Sequence, residues 1–392
     1  MDYIFSENVK NLKASAIREI LKFSSLPGFI SFAAGNPSQE AFPCEAVAKI
    51  TADIMKNDPI TALQYSVTEG YTPLKNHLKK YCKGKYGIGS EGDGIIITSG
   101  AQQVMDLAAK SLCNVGDTVI TEDPSFIGTL NCFRSYGLKL KGVPVESDGM
   151  NMQALEQALK ENKNARFIYT IPNFQNPSGA TMSLEKRKTL YTLAKKYSVI
   201  VIEDNPYGDL RFEGEDIPAI KTLDADGIVI YAGSFSKVLS PGMRVGYAIA
   251  PDEILGKMTV CKQTQDVHTN ILAQMIAYRF MTEYDFEAHL AHLREIYRKK
   301  SSFMLGFIDT MLKEKGVTRF PVHGGLFVWC ALEEGIDMEA FCKKAAENKV
   351  GVVPGSAFLT DPSAKCQSFR LNYSTPSDEE IEKGMKILYD LL

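Results

Sequence analysis

The chain has 392 residues, 45% of them hydrophobic and 23% charged, which suits a soluble globular protein of two or three domains and excludes disordered or collagen-like chains. Lysine and arginine number 44 against 47 acids, a net charge of −3, so general nucleic-acid or membrane-surface binding is not expected. The eight cysteines show neither C-x-x-C pairs nor metal-ligand spacing, which reads as reduced thiols in a cytoplasmic protein without a metal site.

From the N-terminus, the start MDYIFSENVKNLKAS lacks the apolar core of a secretory leader, and no later run reaches the roughly 18 apolar residues of a membrane span. Residues 1–45 offer one helix candidate, 15–23, and the loop FAAGNPS (32–38), which pattern alone does not place. Six short apolar runs follow, at 95–98, 118–121, 167–171, 199–202, 228–232 and 245–250. They are rich in Val, Ile and Tyr and barely alternate with polar residues, as strands covered on both faces do. Helical patterns lie between several of them. Residues 101–112 set Val104, Leu107, Ala108 and Leu112 on one face, and 184–197 do the same with Leu184, Leu190, Leu193 and Ala194. Such alternation predicts an α/β fold with a mostly parallel sheet flanked by helices. After about residue 275 the character changes. Residues 276–316 read as a long helix or helix pair, followed by strands at 325–331 and 368–373 and helices at 337–348 and 378–391, a smaller α+β domain.

The segment with the most chemistry is GSFSKVLSPGMRVG, residues 233–246. Lys237 follows a strand, with Ser234, Ser236 and Arg244 around it. Two hydroxyls and a planar guanidinium suit a phosphate dianion, and a lysine amine beside a phosphate site suggests a phosphorylated aldehyde held as a Schiff base. Cationic neighbours and partial desolvation favour the neutral, nucleophilic amine. Pyridoxal 5′-phosphate (PLP) answers that description.

The other parts of such a site have candidates. In TSGAQQ (98–103) the amides of Gly100 and Ala101 and the Gln102 side chain suit a phosphate at a helix N-terminus, or merely a strand-to-helix turn. Asp204 in IEDNPYGDL (202–210) stands just past a strand end, where it either pairs with a pyridine nitrogen or serves as a turn residue. Tyr207 and Asn176, the latter in IPNFQNPSGAT (171–181), are donors suited to a phenolate oxygen, although Asn-Pro is also a plain turn dipeptide. Phe126 in EDPSFIG (122–128) is a ring-stacking candidate or core packing. Arg370 sits inside the apolar strand FRLNYS (369–374), as half of an internal salt bridge or as a clamp on a substrate α-carboxylate. His289 and His292 share a helix face without a third ligand nearby, and Arg298-Lys299-Lys300 reads as a solvated helix face.

Taken in order, AAGNPS, SGAQQ, the QNPSG turn, EDNPY, GSFSK, PGMRVG and FRLNYS resemble the fold-type-I PLP aminotransferases of class I/II, over essentially the whole chain. QYSVTEG (64–70), HGGLFVW (323–329) and VVPGSAF (352–358) resemble one branch, that of 2-aminoadipate and kynurenine-type aminotransferases and the C-terminal halves of MocR-type regulators. The resemblance implies a PLP-dependent aminotransferase moving an amino group from an L-α-amino acid (2-aminoadipate, aromatic, branched-chain or glutamate type) to a 2-oxo acid such as 2-oxoglutarate. It implies a large PLP-binding domain at 46–280 and a small domain from 1–45 plus 281–392. Lys237 would carry the Schiff base and move the α-proton. Asp204 would pair with the pyridine nitrogen, and Asn176 and Tyr207 would hold the phenolate oxygen. Gly100, Ala101, Gln102, Ser234, Ser236 and Arg244 would hold the phosphate. Tyr65 would reach the cofactor of a second subunit, which implies a homodimer with shared sites. Arg370 and Gly35 would hold the substrate carboxylate, with Asn176 beside them, and Arg18 would meet the substrate side chain. The departures are Phe126 where tyrosine is common, Ala101 where serine is common and Leu326 where methionine is common.

Two other readings use the same motifs. One is a PLP-binding ligand sensor of the regulator type, for which the chain lacks room for a winged helix of roughly 60 residues before its first enzyme-like helix. The other is a PLP lyase on the same scaffold.

Overall fold

The computed structural model describes residues 3–10, 12 and 27–392. The helix expected at 15–23, and Arg18 with it, lie outside the described residues. In chain order the strands are β1 (Ile30–Ser31), β2 (Asp93–Thr98), β3 (Thr118–Asp123), β4 (Lys139–Glu146), β5 (Gly149–Met150), β6 (Ala165–Thr170) and β7 (Ile200–Asp204). They continue with β8 (Val229–Ser234), β9 (Gly246–Pro251), β10 (Thr318–Arg319), β11 (Phe327–Ala331), β12 (Val350–Gly351), β13 (Val353–Pro354) and β14 (Ser368–Asn372).

Eight of these form one sheet in the order β2-β9-β8-β7-β6-β3-β4-β5. The run β8-β7-β6-β3-β4 is parallel, and β9 runs antiparallel between β8 and β2. All six apolar runs are strands of this sheet. The expected mostly parallel, helix-flanked sheet is therefore present, because residues such as Val119, Ile168, Val201 and Ile230 are buried from both sides. Strand β4 escaped the pattern reading. It lies next to the edge, and its sequence KLKGVPVE is largely half-exposed and polar.

The helices Ala101–Leu112 and Leu184–Tyr197 form where expected. Val104, Leu107 and Ala108 are fully buried, and so are Leu190 and Ala194, whereas Leu112 and Leu184 are half-buried near helix ends. The long helical stretch is a pair, Ile271–Glu283 and Phe286–Phe307, with one further wide turn at Ile308–Leu312. The break is local chemistry: Tyr284 turns extended and the Asp285 carboxylate accepts the Ala288 N–H, restarting the helix.

Strands β10-β11-β14-β13 make a second, antiparallel sheet. Strand β1 pairs in parallel with β12, and the Phe32 carbonyl accepts the Asn372 N–H at 2.8 Å. The segment 29–36, which pattern did not place, is thereby stitched to the C-terminal part. No helix among the described residues is long and apolar enough to cross a membrane.

Candidate active site

Five connections leave the large sheet at one edge, the carboxyl ends of β2, β3, β6, β7 and β8, and Arg244 enters beside them just before β9. They surround a cavity of about 430 Å³, closed from the other side by Gly35 and Asn36 and by Phe327 and Arg370 from the small sheet. Residues spread over 335 positions of sequence thus meet because two sheets face one another across this space.

Lys237 lies in the turn after β8, and its Nζ donates to the Gly35 carbonyl at 2.7 Å. Burial, and then the charges of Arg370 and Arg244, bring its amine down to about 8. Asp204 ends β7. Its Oδ2 accepts the Tyr169 hydroxyl at 2.8 Å, while its buried Oδ1 has no partner. Burial pushes this carboxyl up to about 7. A buried carboxylate oxygen without a donor is costly, and a cationic N–H placed in the cavity would satisfy it.

Gly100 caps the helix Ala101–Leu112 with φ +80°. A Cβ there would overlap the Arg244 Nη2, and one on Gly246 would stand 2.6 Å from the Ala101 nitrogen. Both glycines are therefore needed for Arg244 and β9 to lie against the helix start. The first N–H groups of a helix have no intrahelical acceptor and favour an anion. Ser234 and Ser236 adjoin them, with the Ser236 N–H donated to the Ser234 Oγ at 3.1 Å. Arg244 bonds only the carbonyls of Pro241 and Ser99, at 3.3 and 3.2 Å, and no carboxylate pairs with it among the described residues. Amides, hydroxyls and a guanidinium without a counter-charge among the described residues make a cup whose chemistry suits a phosphate.

Asn176 ties the middle of the cavity together. Its Nδ2 donates to the Tyr207 hydroxyl at 3.5 Å and its Oδ1 accepts the Arg370 Nη1 at 2.7 Å. Arg370 is 1% exposed. It donates its Nη2 to the Ala33 carbonyl at 2.6 Å, leaves Nε without a partner, and lies 4.3 Å over the Phe327 ring and 4.9 Å from that of Phe358. No carboxylate pairs with it among the described residues, and the internal salt bridge considered from sequence is not found among them. Burial brings its guanidinium down to about 10. An uncompensated buried cation beside a cavity calls for an anionic ligand.

Gln102 and Phe126 also line the cavity. Tyr65 does not: it is 81% exposed, edge-on to His268 at 5.9 Å. His289 spends its Nε2 on the Val238 carbonyl at 2.8 Å.

Sequence reasoning missed three contributors. Tyr169 orients Asp204. It pairs in register with Ile202, two residues before Asp204, so both side chains fall on one face of adjacent strands. Its one signal was a tyrosine in a buried strand, whose hydroxyl needs a partner. Glu122, fully buried and pushed up to about 7, accepts from Thr170 (2.6 Å), Ile171 N–H (3.1 Å) and Gln175 (3.1 Å), and so fixes the turn that carries Asn176. Phe327 roofs the cavity, edge-on to Tyr207 at 5.7 Å, and a Cβ on Gly35 would come within 3.1 Å of it.

The family described as "Aminotransferase class I and II" matches residues 27–388. Aromatic-amino-acid aminotransferase 1 of Thermococcus litoralis is 38% identical over 100% of this chain and 95% of its own length. The crystal structure of Pyrococcus horikoshii kynurenine aminotransferase in complex with PMP superposes with a TM-score of 0.94 at 38% identity, covering 99% of this chain and 96% of that one. The structure of alpha-aminoadipate aminotransferase from Thermus thermophilus, complexed with N-(5′-phosphopyridoxyl)-L-leucine, does so at 0.90 and 36%, covering 99% and 97%.

Proposed function

The chain belongs to the class I and II aminotransferases and is a PLP-dependent enzyme acting on amino acids and 2-oxo acids, and from that premise we propose the division of labour within its site and the class of its amino donor. When bound, PLP supplies an aldehyde that takes up the donor's amine and a ring that accepts electrons from its α-carbon. The cup of Gly100, Ala101, Gln102, Ser234, Ser236 and Arg244 holds the phosphate. Asp204 would accept the pyridine N–H on its free Oδ1 and so keep that nitrogen protonated. Asn176 and Tyr207 hold the phenolate oxygen, and Phe126 covers a ring face. Arg370, with Asn176 and the Gly35 segment, takes the substrate α-carboxylate on a guanidinium that bonds only neutral oxygens among the described residues. The Lys237 amine, neutral in a large fraction near pH 8, takes the α-proton.

The observation that carries this reading is a pair of unsatisfied buried atoms, the Asp204 Oδ1 and the Arg370 Nε, on two residues that line one cavity. The cavity's other lining supports large uncharged donors. Phe126, Ile171, Pro206, Pro241 and Phe327 border it, and its cations, Lys237, Arg244 and Arg370, already have tasks. We therefore place aromatic L-amino acids first among donors, with 2-oxoglutarate as the expected acceptor. An ω-carboxylate donor such as 2-aminoadipate would need a further cation, for which Arg18 is the candidate.

The same reading makes residues 46–280 a large cofactor-binding domain and 1–45 plus 281–392 a small one. It makes the enzyme a homodimer. Ile60, Leu63, Tyr65 and Val67 are 54–81% exposed on one stretch of chain, an apolar patch suited to a second copy, and Tyr65 is free to reach that copy's phosphate. Eight unpaired cysteines suit the reducing cytoplasm.

The test is absorption of the PLP-loaded protein during addition of single amino acids. Loss of the visible cofactor band in favour of a near-ultraviolet one, with 2-oxo acid released, is expected with phenylalanine, tyrosine and kynurenine before glutamate. Pyruvate with ammonia would indicate a lyase, and binding without conversion a sensor. Lys237→Ala is expected to lower turnover by at least about 10³-fold, and full turnover in that variant would overturn the assignment.

A further inference from the structure

Behind the phosphate cup lies a partly buried charge cluster that the proposed chemistry does not use. Lys262, at the end of the helix Asp252–Gln263, has a side chain with 0% exposure. Its Nζ donates to the Gln103 Oε1 (2.8 Å), to both Asp266 oxygens (2.8 and 2.9 Å) and to the Thr269 Oγ1 (2.9 Å). The Asp266 Oδ2 also accepts the Ser99 hydroxyl at 2.6 Å and the Gln103 amide at 2.8 Å. The Gln103 Oε1 in turn accepts the Ser99 N–H at 2.8 Å. The remaining polar group of Ser99, its carbonyl, accepts the Arg244 Nη2 at 3.2 Å.

Ser99 is the residue before Gly100. Its N–H and hydroxyl are held by the cluster and its carbonyl holds Arg244. An ion pair with one partner buried and the other 28% exposed is weak evidence of stability, since apolar packing often stabilises as well. Its distinguishing effect is directional, because each partner fixes the other's geometry.

We propose that Lys262 and Asp266 are positioning residues for the cofactor phosphate: they lock Ser99, and through it aim the helix start at Gly100–Gln102 and the Arg244 guanidinium at a common anion. The proposal rests on the assignment of that cup to the phosphate. It predicts that the cluster serves affinity for the phosphate and not for the ring.

The test titrates cofactor-free protein with PLP and, separately, with pyridoxal, which has the same ring and aldehyde without the phosphate. Ser99→Ala and Lys262→Met are each expected to weaken PLP binding about tenfold while pyridoxal affinity stays within about twofold. Equal weakening of both ligands would mean a general loosening and overturn the proposal, as would unchanged PLP affinity. Ser99→Ala removes one hydroxyl, so it carries the test if Lys262→Met fails to fold. Arg244→Ala separates the two readings. If it leaves the preference for PLP over pyridoxal intact, the cup assignment fails. If it abolishes that preference while the other two variants bind as wild type, only the positioning role fails.

Discussion

Lys237 is the residue at which environment matters most. An ordinary lysine at 10.5 is under about 1% neutral at pH 8, whereas this amine, brought to about 8, is close to half neutral. The nucleophile is the neutral form, so capture of PLP by cofactor-free protein should speed up as pH rises and level off above about 8. Stopped-flow absorbance measures this directly. Arg370→Met removes a positive neighbour that lowers the amine's value, and should move the midpoint upward. A midpoint unmoved in that variant would show that the two cations do not sense each other across the cavity. The lysine itself was legible in GSFSK, because a strand end, two serines and a following Pro-Gly-Met-Arg are contiguous in sequence. Tyr169 was not, since its purpose depends on which strand lies next to β6 and in what register.

Among elements, the helix Ala101–Leu112 carries the turn proposed to hold the phosphate. Its start needs a left-handed residue, and Arg244 crowds the position where any side chain would begin. Gly100→Ala should leave the fold intact and weaken PLP binding roughly 10- to 100-fold, from backbone strain of about 1–2 kcal/mol together with displacement of Arg244. A titration of the cofactor-free variant checks it, and unchanged affinity would mean that the helix start does not hold the phosphate. Elements buried on both faces were readable from composition, as β6 and β7 show, because constant burial leaves an unbroken apolar run. Strand β4 and the two-residue strands β10 and β13 were not, since partner strands rather than their own side chains define them.

At the scale of the molecule, the cavity belongs to two sheets and, in the proposed dimer, to two chains. Mixing Lys237→Ala with Tyr65→Ala should test sharing. Neither homodimer is expected to turn over well, yet each mixed dimer would hold one site with both lesions and one with neither. Unfolding and refolding an equal mixture should restore about a quarter of wild-type activity, half the dimers being mixed with one intact site each. No recovery in a confirmed mixed dimer would place Tyr65 outside any shared site.

What the sequence determined by itself was the alternation of strands and helices and the set of residues proposed to react. Both follow from residues close in sequence: unbroken apolar runs, glycines before helix starts, and a lysine between serines. Only the tertiary structure decided which charges stay unpaired. Whether Arg370 meets a carboxylate or an open cavity, which Asp204 oxygen Tyr169 occupies, and how Asp266 reaches Ser99 across 167 positions all depend on long-range packing. Burial then sets the cost of each unsatisfied group, and with it the ligand that the site requires.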